Sequence, residues 1–178
     1  MKTKIDLMLG EFEPKIASLI ECCIDCHQQA ALKNPNASSA AYQNALMGSG
    51  NVENGIASAI LTLGKNHGPI SEARVVFVEW SRHEFGIVND GYKVPGFGNS
   101  FFRGRIDPSF EPLDTLLRCD FSDLSNRIDE LTKWMQVYKP LYPNAAMYTA
   151  AVCHAAKIKP GLESALFIMA RIPAWINL

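Results

Sequence analysis

Residues 63–73 read LGKNHGPISEA, and this stretch fixes where a helix begins. Pro69 suits a first helical turn, because its ring holds φ near the helical value and its missing N–H is a donor with no intrahelical partner there anyway. The predicted helix runs over residues 70–85. His67 then lies just ahead of a helix N-terminus, where the positive end of the dipole disfavours imidazolium and keeps a neutral ring available as a hydrogen-bond donor. The alternative is a histidine that only packs or caps.

Towards the N-terminus, Ile16, Leu19, Ile20, Cys23 and Ile24 recur at three- and four-residue steps, the stripe of a helix over residues 14–32 that stops at residues 33–35. The small-residue segment NASSAAYQNALMGSG, residues 36–50, lets helix backbones approach closely and ends in the glycine signal of Gly48 and Gly50. Ile56, Ile60, Leu61 and Leu63 mark a third helix. Towards the C-terminus, Asn89-Asp90-Gly91 signals a turn that fits a small hairpin, and residues 93–112 are too broken by Gly and Pro for regular structure. Ser122 is placed to cap a helix through Leu124, Ile128, Leu131, Trp134 and Met135 that Pro140 stops, and residues 144–156 and 161–170 supply two more. The total is about seven helices with almost no strand pattern, so the expected fold is all-α. With no repeat or linker, residues 1–178 are read as one domain.

The chain has 178 residues, 48% hydrophobic and 20% charged, enough to bury one sizeable core. A formal net charge of −1 provides no basic field for a nucleic-acid backbone, so nucleic acid is set aside as a partner. No apolar run reaches the roughly 18 to 20 residues of a bilayer span, and the opening MKTKIDLMLGEFEPK lacks the apolar segment of a signal peptide; no membrane and a cytoplasmic location are expected. Cys22, Cys23 and Cys26 are crowded in a way that fits reduced thiols better than a disulfide framework. Cys23-Ile24-Asp25-Cys26-His27 also spells C-x-x-C-H, the signature of covalent haem attachment or of a redox or metal-binding pair. With no export signal, the expected role is helix packing, without metal or covalently bound cofactor. Gly96-Phe97-Gly98 lacks the third glycine of a dinucleotide loop.

Three segments together resemble the active-site framework of citrate synthase: LGKNHGPISEA at 63–73, VPGFGNSFF at 94–102 and YPNAAMY at 142–148. In that family they read roughly GPxHGGAxEA, PGFGHxxx and YPNVDFY. The likeness runs over residues 36–176, where NASSA resembles NAST, GIASAILTLGKNHG resembles a GIASLxGPxHGG-like segment, and LFIMARIPAWI resembles FAMARTVGWI. Each piece is weak alone; their order and separations make the resemblance specific. It implies a compact helical domain like the C-terminal half of citrate synthase, the small domain plus adjoining large-domain helices, and makes residues 93–112 a functional loop. It also implies that the first half of an ordinary member and the tail after the MAR segment have no counterpart here. Apolar helix faces are then expected to lie uncovered, which points to a homo-oligomer or a companion protein.

The family's reaction takes a proton from the methyl group of acetyl-CoA, stabilises the enol at the thioester oxygen and adds it to a keto acid. By resemblance His67 matches the histidine that holds the enol oxygen, Asn99 replaces the histidine that polarises the acceptor, and Ala146 replaces the carboxylate base. The Asn99 amide still donates a hydrogen bond but does not titrate near neutral pH, and its alternative role is turn geometry after Gly98. Ala146 offers no lone pair. Glu72, His83, Asp107 and His154 are the nearest replacement bases, with nothing in their spacing that places them in a cleft. Arg103 falls where the family has a basic residue for CoA, and Arg105 and Lys93 are available for phosphate. The family's Asp-Pro-Arg appears as Asp107-Pro108-Ser109, so a substrate arginine is missing and Arg105 is its available substitute. Arg171 matches a second carboxylate-binding arginine; in so apolar a helix it needs an anionic partner, either a ligand or, the favoured expectation, an internal Asp or Glu. His27 corresponds to the histidine of the family's Asp-His-Glu segment, with Gln28 in place of the acid and a longer separation from Asn36.

The expectation is therefore a degenerate citrate synthase-like protein that keeps a cleft for an acyl-CoA or small carboxylate ligand without ordinary citrate synthase activity. Residual chemistry that needs no base, such as decarboxylation of a malonyl-type thioester or a retro-cleavage, is compatible with it. The alternative is a structural or assembly protein that reuses the scaffold.

Overall fold

A computed structural model of the chain describes residues 11–33, 36–64, 67–86 and 92–177. Regular structure among them is helical: nine α-helices and one 3₁₀ turn, with two isolated backbone bridges. None of these helices is long and apolar enough to cross a membrane. The Asn89-Asp90-Gly91 turn lies outside the described residues.

Helix α1, Pro14–Lys33, buries the stripe read from sequence, with Leu19, Ile20, Cys23, Ile24, Cys26 and His27 facing inward. Helix α2, Ala37–Ser49, opens on Asn36, whose side-chain oxygen accepts from the Ser38 and Ser39 backbone N–H groups, and closes on Gly50 at φ 65°. Helix α3, Val52–Leu61, is capped by Asn51 and ends before Leu63. It lies so close to α2 that a Cβ on Gly55 would meet the Tyr42 ring at 2.8 Å.

The helix expected over residues 70–85 is two helices, α4 at Ile70–Glu79 and α5 at Arg82–Gly86. The break has a local cause that the sequence displays. Glu84 accepts from the Ser81 N–H at 2.7 Å and from its hydroxyl, while Ser81 Oγ accepts from the His83 N–H, a Ser-x-x-Glu box that starts a new helix. Arg127 supports the break by donating to the Phe77 carbonyl at 2.8 Å and to the Trp80 carbonyl.

The broken segment 93–112 ends in structure that was not expected. Asp107 Oδ1 caps the 3₁₀ turn Pro108–Phe110, and α6 follows at Glu111–Asp120 with Pro112 in its first turn and Glu111 and Asp114 at its positive end. Helix α7, Ser122–Tyr138, starts after Phe121 with no side-chain cap, so Ser122 is its first residue and not its N-cap. Helix α8, Ala145–Ala155, is capped by Asn144. Helix α9, Glu163–Ile176, outruns the expected end at residue 170 and continues past Pro173.

Helix α8 organises the rest. Its run Ala146, Met147, Tyr148, Thr149, Ala150, Ala151, Val152 and Cys153 is buried throughout, as expected of a helix apolar on every side, and α1, α4, α7 and α9 pack around it. A smaller cluster of Tyr42, Ala59 and Trp175 ties α2 and α3 to the end of α9. Where α1, α2, α8 and α9 meet, the core turns polar.

Candidate functional site

His67 stands on the loop between α3 and α4, its backbone bonded both ways to Gly64. Its Nε2 lies 3.2 Å from Ser38 Oγ. Since Ser38 Oγ donates its proton to Asn36 Oδ1 at 2.7 Å, the hydroxyl can only accept from the ring, so Nε2 carries the proton and Nδ1 keeps its lone pair. The N-cap of α2 thus also sets the His67 tautomer. His67 is half-buried; desolvation first, and then the charge of Arg171, lower its pKa and keep it neutral.

His27 is fully buried on α1. Its Nε2 lies 2.6 Å from Thr149 Oγ1 on α8, and its Nδ1 lies 3.4 Å from Arg171 Nε on α9. Burial, then the Arg171 charge, hold its pKa well below the ordinary histidine value. The ring packs edge-on against Phe110 at 5.1 Å and Phe167 at 4.9 Å, and Phe167 also meets His67 at 6.2 Å. The Arg171 guanidinium sits 5.0 Å above that same Phe167 ring.

Arg171 corrects one expectation. No Asp or Glu among the described residues lies within salt-bridge distance of it, and its Nη1 is buried without a hydrogen-bond partner. Desolvation pushes its pKa down to about 10, opposed by the more distant charge of Asp107, so the group remains cationic at neutral pH. Ser39 Oγ, at the start of α2, is a second buried polar atom without a partner. The structure therefore brings His27, His67 and Arg171 together around the Phe167 ring, with no carboxylate among the described residues paired to the arginine.

The glycine-rich loop is organised differently. Gly98 donates to the Tyr142 carbonyl at 2.9 Å, Asn144 donates through its backbone to the Gly96 carbonyl and through its side chain to the Gly98 carbonyl, and Gly96, at φ 87°, sits against Met147 where a Cβ would meet Cε at 2.6 Å. These contacts seat the loop on the entry to α8. Asn99 turns back on that loop, accepting from the Phe101 N–H at 2.9 Å, which is the turn role. Arg103 and Arg105 are exposed, and Arg105 lies 5.5 Å over the Phe102 ring. Ala146 is buried at the first turn of α8, its N–H held by Asn144.

Of the replacement bases, Asp107 is buried and occupied as a cap, while Glu72, His83 and His154 are exposed. Cys23 and Cys26 are buried in α1, and among the described residues no group of three His, Cys, Asp or Glu is arranged to hold a metal. Two grooves open elsewhere, an apolar one of about 310 Å³ between α1 and α9 and one of about 420 Å³ beside Cys22, and neither is lined by His27, His67 or Arg171. Sequence reasoning missed Ser38, Thr149 and Phe167, which hold the two histidines and the arginine in place. Ser38 lies inside the segment NASSA and Thr149 just after YPNAAMY, but nothing in one sequence distinguishes a hydroxyl that faces a histidine from one that caps a helix.

The family model "Citrate synthase, C-terminal domain" matches residues 7–177 of the chain. Among solved structures, a citryl-CoA lyase from Hydrogenobacter thermophilus is similar, with a TM-score of 0.75 at 17% identity over 93% of this chain and 68% of that one. At that identity the likeness concerns the fold. No curated protein sequence matches the chain.

Proposed function

The chain belongs to the citrate synthase family, and from that premise we propose that it binds a small carboxylate or the acyl-CoA that carries one, without performing the ordinary citrate synthase condensation. The observation that carries this reading is Arg171: a cation buried to 4% exposure, with Nη1 unpartnered and no carboxylate among the described residues paired to it. A buried charge without a counterion costs several kcal/mol, so a site that keeps one is built for an anion supplied from outside. His27 and His67, both held neutral, line it with donors and acceptors and add no competing charge.

The condensation lacks its base at Ala146. Loss of a general base commonly removes about 10² to 10⁴ in rate, and Asn99, engaged with Phe101, does not supply acid catalysis. If chemistry remains, it is of the kind that needs no base there, decarboxylation of a malonyl-type thioester or a retro-cleavage, with His67 at the enolate oxygen. Arg103, Arg105 and Lys93 are exposed, within reach of solvent-borne phosphates such as those of CoA. A cytoplasmic location is part of the same reading.

Calorimetric titration with citrate, oxaloacetate and CoA tests binding, and thiol release from acetyl-CoA plus oxaloacetate tests condensation. Saturable binding without thiol release is the expected pair of results. Robust citrate formation, or failure of every ligand to bind or to raise thermal stability, would overturn the reading.

A second reading has its own observation. Leu61 is 84% exposed, Met47 78% and Val137 66%, and these large apolar side chains fit a homo-oligomer or a companion protein that the helices help assemble. Mass measurement in solution decides, because a monomer at every concentration contradicts it.

A further inference from the structure

Thr149 reaches the anion site from the middle of α8, and its proton bookkeeping is closed. Its hydroxyl donates to the Ala145 carbonyl at 2.7 Å, which uses its only proton. The same oxygen is approached by His27 Nε2 at 2.6 Å and by Cys23 Sγ at 3.9 Å, so both must donate to it. His27 Nδ1 is left as an acceptor, facing Arg171 Nε at 3.4 Å. The opposite assignment, with Nδ1 protonated, would set an N–H of the ring head-on against an N–H of the guanidinium in a buried, low-dielectric site.

We propose that Thr149 is a positioning residue for the anion site: its hydroxyl fixes His27 as the Nε2–H tautomer, and the Nδ1 lone pair so created anchors Arg171 through Nε, leaving the unpartnered Nη1 as the donor for a bound carboxylate. The relay runs through three helices, α8 to α1 to α9, and every hydrogen bond in it has one donor and one acceptor. It rests on the carboxylate-binding reading for its functional consequence, but the tautomer itself exists without ligand.

Thr149→Val keeps the shape of the side chain and removes the acceptor. His27 Nε2–H is then buried without a partner, the Nδ1–H form becomes competitive, and Arg171 loses its anchor. Thr149→Ser restores the oxygen. The experiment uses the full chain with ¹⁵N-labelled histidine: long-range proton–nitrogen spectra report which ring nitrogen is protonated, and citrate titrations report affinity.

In the wild type, His27 is expected to show Nε2 protonated and Nδ1 unprotonated. Thr149→Val is expected to lose that signature and to weaken citrate binding about tenfold, the effect of one unsatisfied buried donor; Thr149→Ser is expected to retain both. A wild-type His27 protonated at Nδ1, or a Thr149→Val protein with the wild-type signature and affinity, overturns the proposal. If citrate does not bind the wild type, the carboxylate reading falls while the spectra still judge the relay. If Thr149→Val does not fold, the wild-type tautomer and the Thr149→Ser spectrum decide it alone.

Discussion

Two arginines, Arg74 partly buried and Arg171 fully buried, meet the same helix and end in opposite conditions. Near the start of α9, Arg74 Nη1 donates to Glu163 Oε1 at 2.8 Å and to the Ile158 carbonyl at 2.7 Å, and Glu163 also accepts from Ser71 and from the Gly161 N–H. Two turns further along, Arg171 has a histidine nitrogen and an aromatic face but, among the described residues, no carboxylate. The first arginine is satisfied from within the chain and locks α4, the loop before α9 and α9 together. The second is left incomplete. Burial alone does not separate a structural cation from a binding one; the completeness of its hydrogen bonding does.

The contrast breaks most readily at Glu163. Replacing it by Ala takes the carboxylate away from Arg74, Ser71 and the Gly161 N–H, and about 3 kcal/mol of stability is expected to go, read as a lower urea midpoint, with citrate affinity unchanged in the protein that remains folded. Equal losses of stability and binding would merge the two arginines into one role.

Arg171→Met is expected to act in the other direction. A pKa lowered from 12.5 to about 10 means that the folded state disfavours this charge by about 3 kcal/mol at neutral pH, partly offset by the bond to His27. The variant should therefore be more stable by about 1 to 2 kcal/mol in urea melts and should lose citrate binding by about two orders of magnitude. A destabilised Arg171→Met that still binds would remove the basis for the anion site.

Mild acid sharpens the comparison, since the two regions respond over different ranges. His27 and His67 have folded pKa values below their unfolded value of 6.5, so the unfolded chain binds more protons as the pH falls below 6.5 and stability declines. A loss of at most about 1 kcal/mol per histidine is expected between pH 6.5 and 5.5, larger for His27, whose pKa lies well below the ordinary value, than for His67, and reduced in His27→Gln. Glu163 titrates later. Desolvation would raise its pKa, but bonds from its own backbone N–H, Arg74, Ser71 and Gly161 outweigh burial and the net shift is downward from 4.5. Its contribution is complete above pH 4.5 and disappears as the pH falls through the lower folded value. Urea melts at several pH values separate the two ranges.

Arg103→Ala and Arg105→Ala should do least, changing stability by less than about 0.5 kcal/mol. CoA affinity is expected to fall by a few-fold at low salt, with the effect fading as ionic strength rises. These arginines stand in water, where a charge contributes far less than at Arg171.

Much of the architecture was legible in the sequence because its signals are local. Gly50 closes α2 as read, the stripe from Ile16 to Ile24 lies on the inward face of α1, and the segments read as helical from residues 36 and 144 do begin there, each on an asparagine cap. The errors were of two kinds. The break between α4 and α5 and the start of α6 were written in Ser81-x-x-Glu84 and Glu111-Pro112, and a fuller reading of capping chemistry recovers both. The uninterrupted passage of α9 through Pro173 was not local at all: the buried Ala174 and Trp175 hold that last turn in place against a proline's preference to end it.

The candidate site divides along the same line. His27, His67 and Arg171 were singled out from residue type and family resemblance, and so were Asn99, Arg103 and Arg105, with equal standing. By itself the sequence determined an all-α chain of the citrate synthase family with a methyl group at position 146, because periodicity, caps and side-chain chemistry are properties of neighbouring residues. Only the tertiary structure decided which candidates share a site, that Thr149 and Ser38 dictate the two histidine tautomers, and that Glu163 serves Arg74 and not Arg171. Those facts depend on the distances between helices far apart in the chain, and hydrogen bonds that act over about 3 Å cannot be assigned until those distances are fixed.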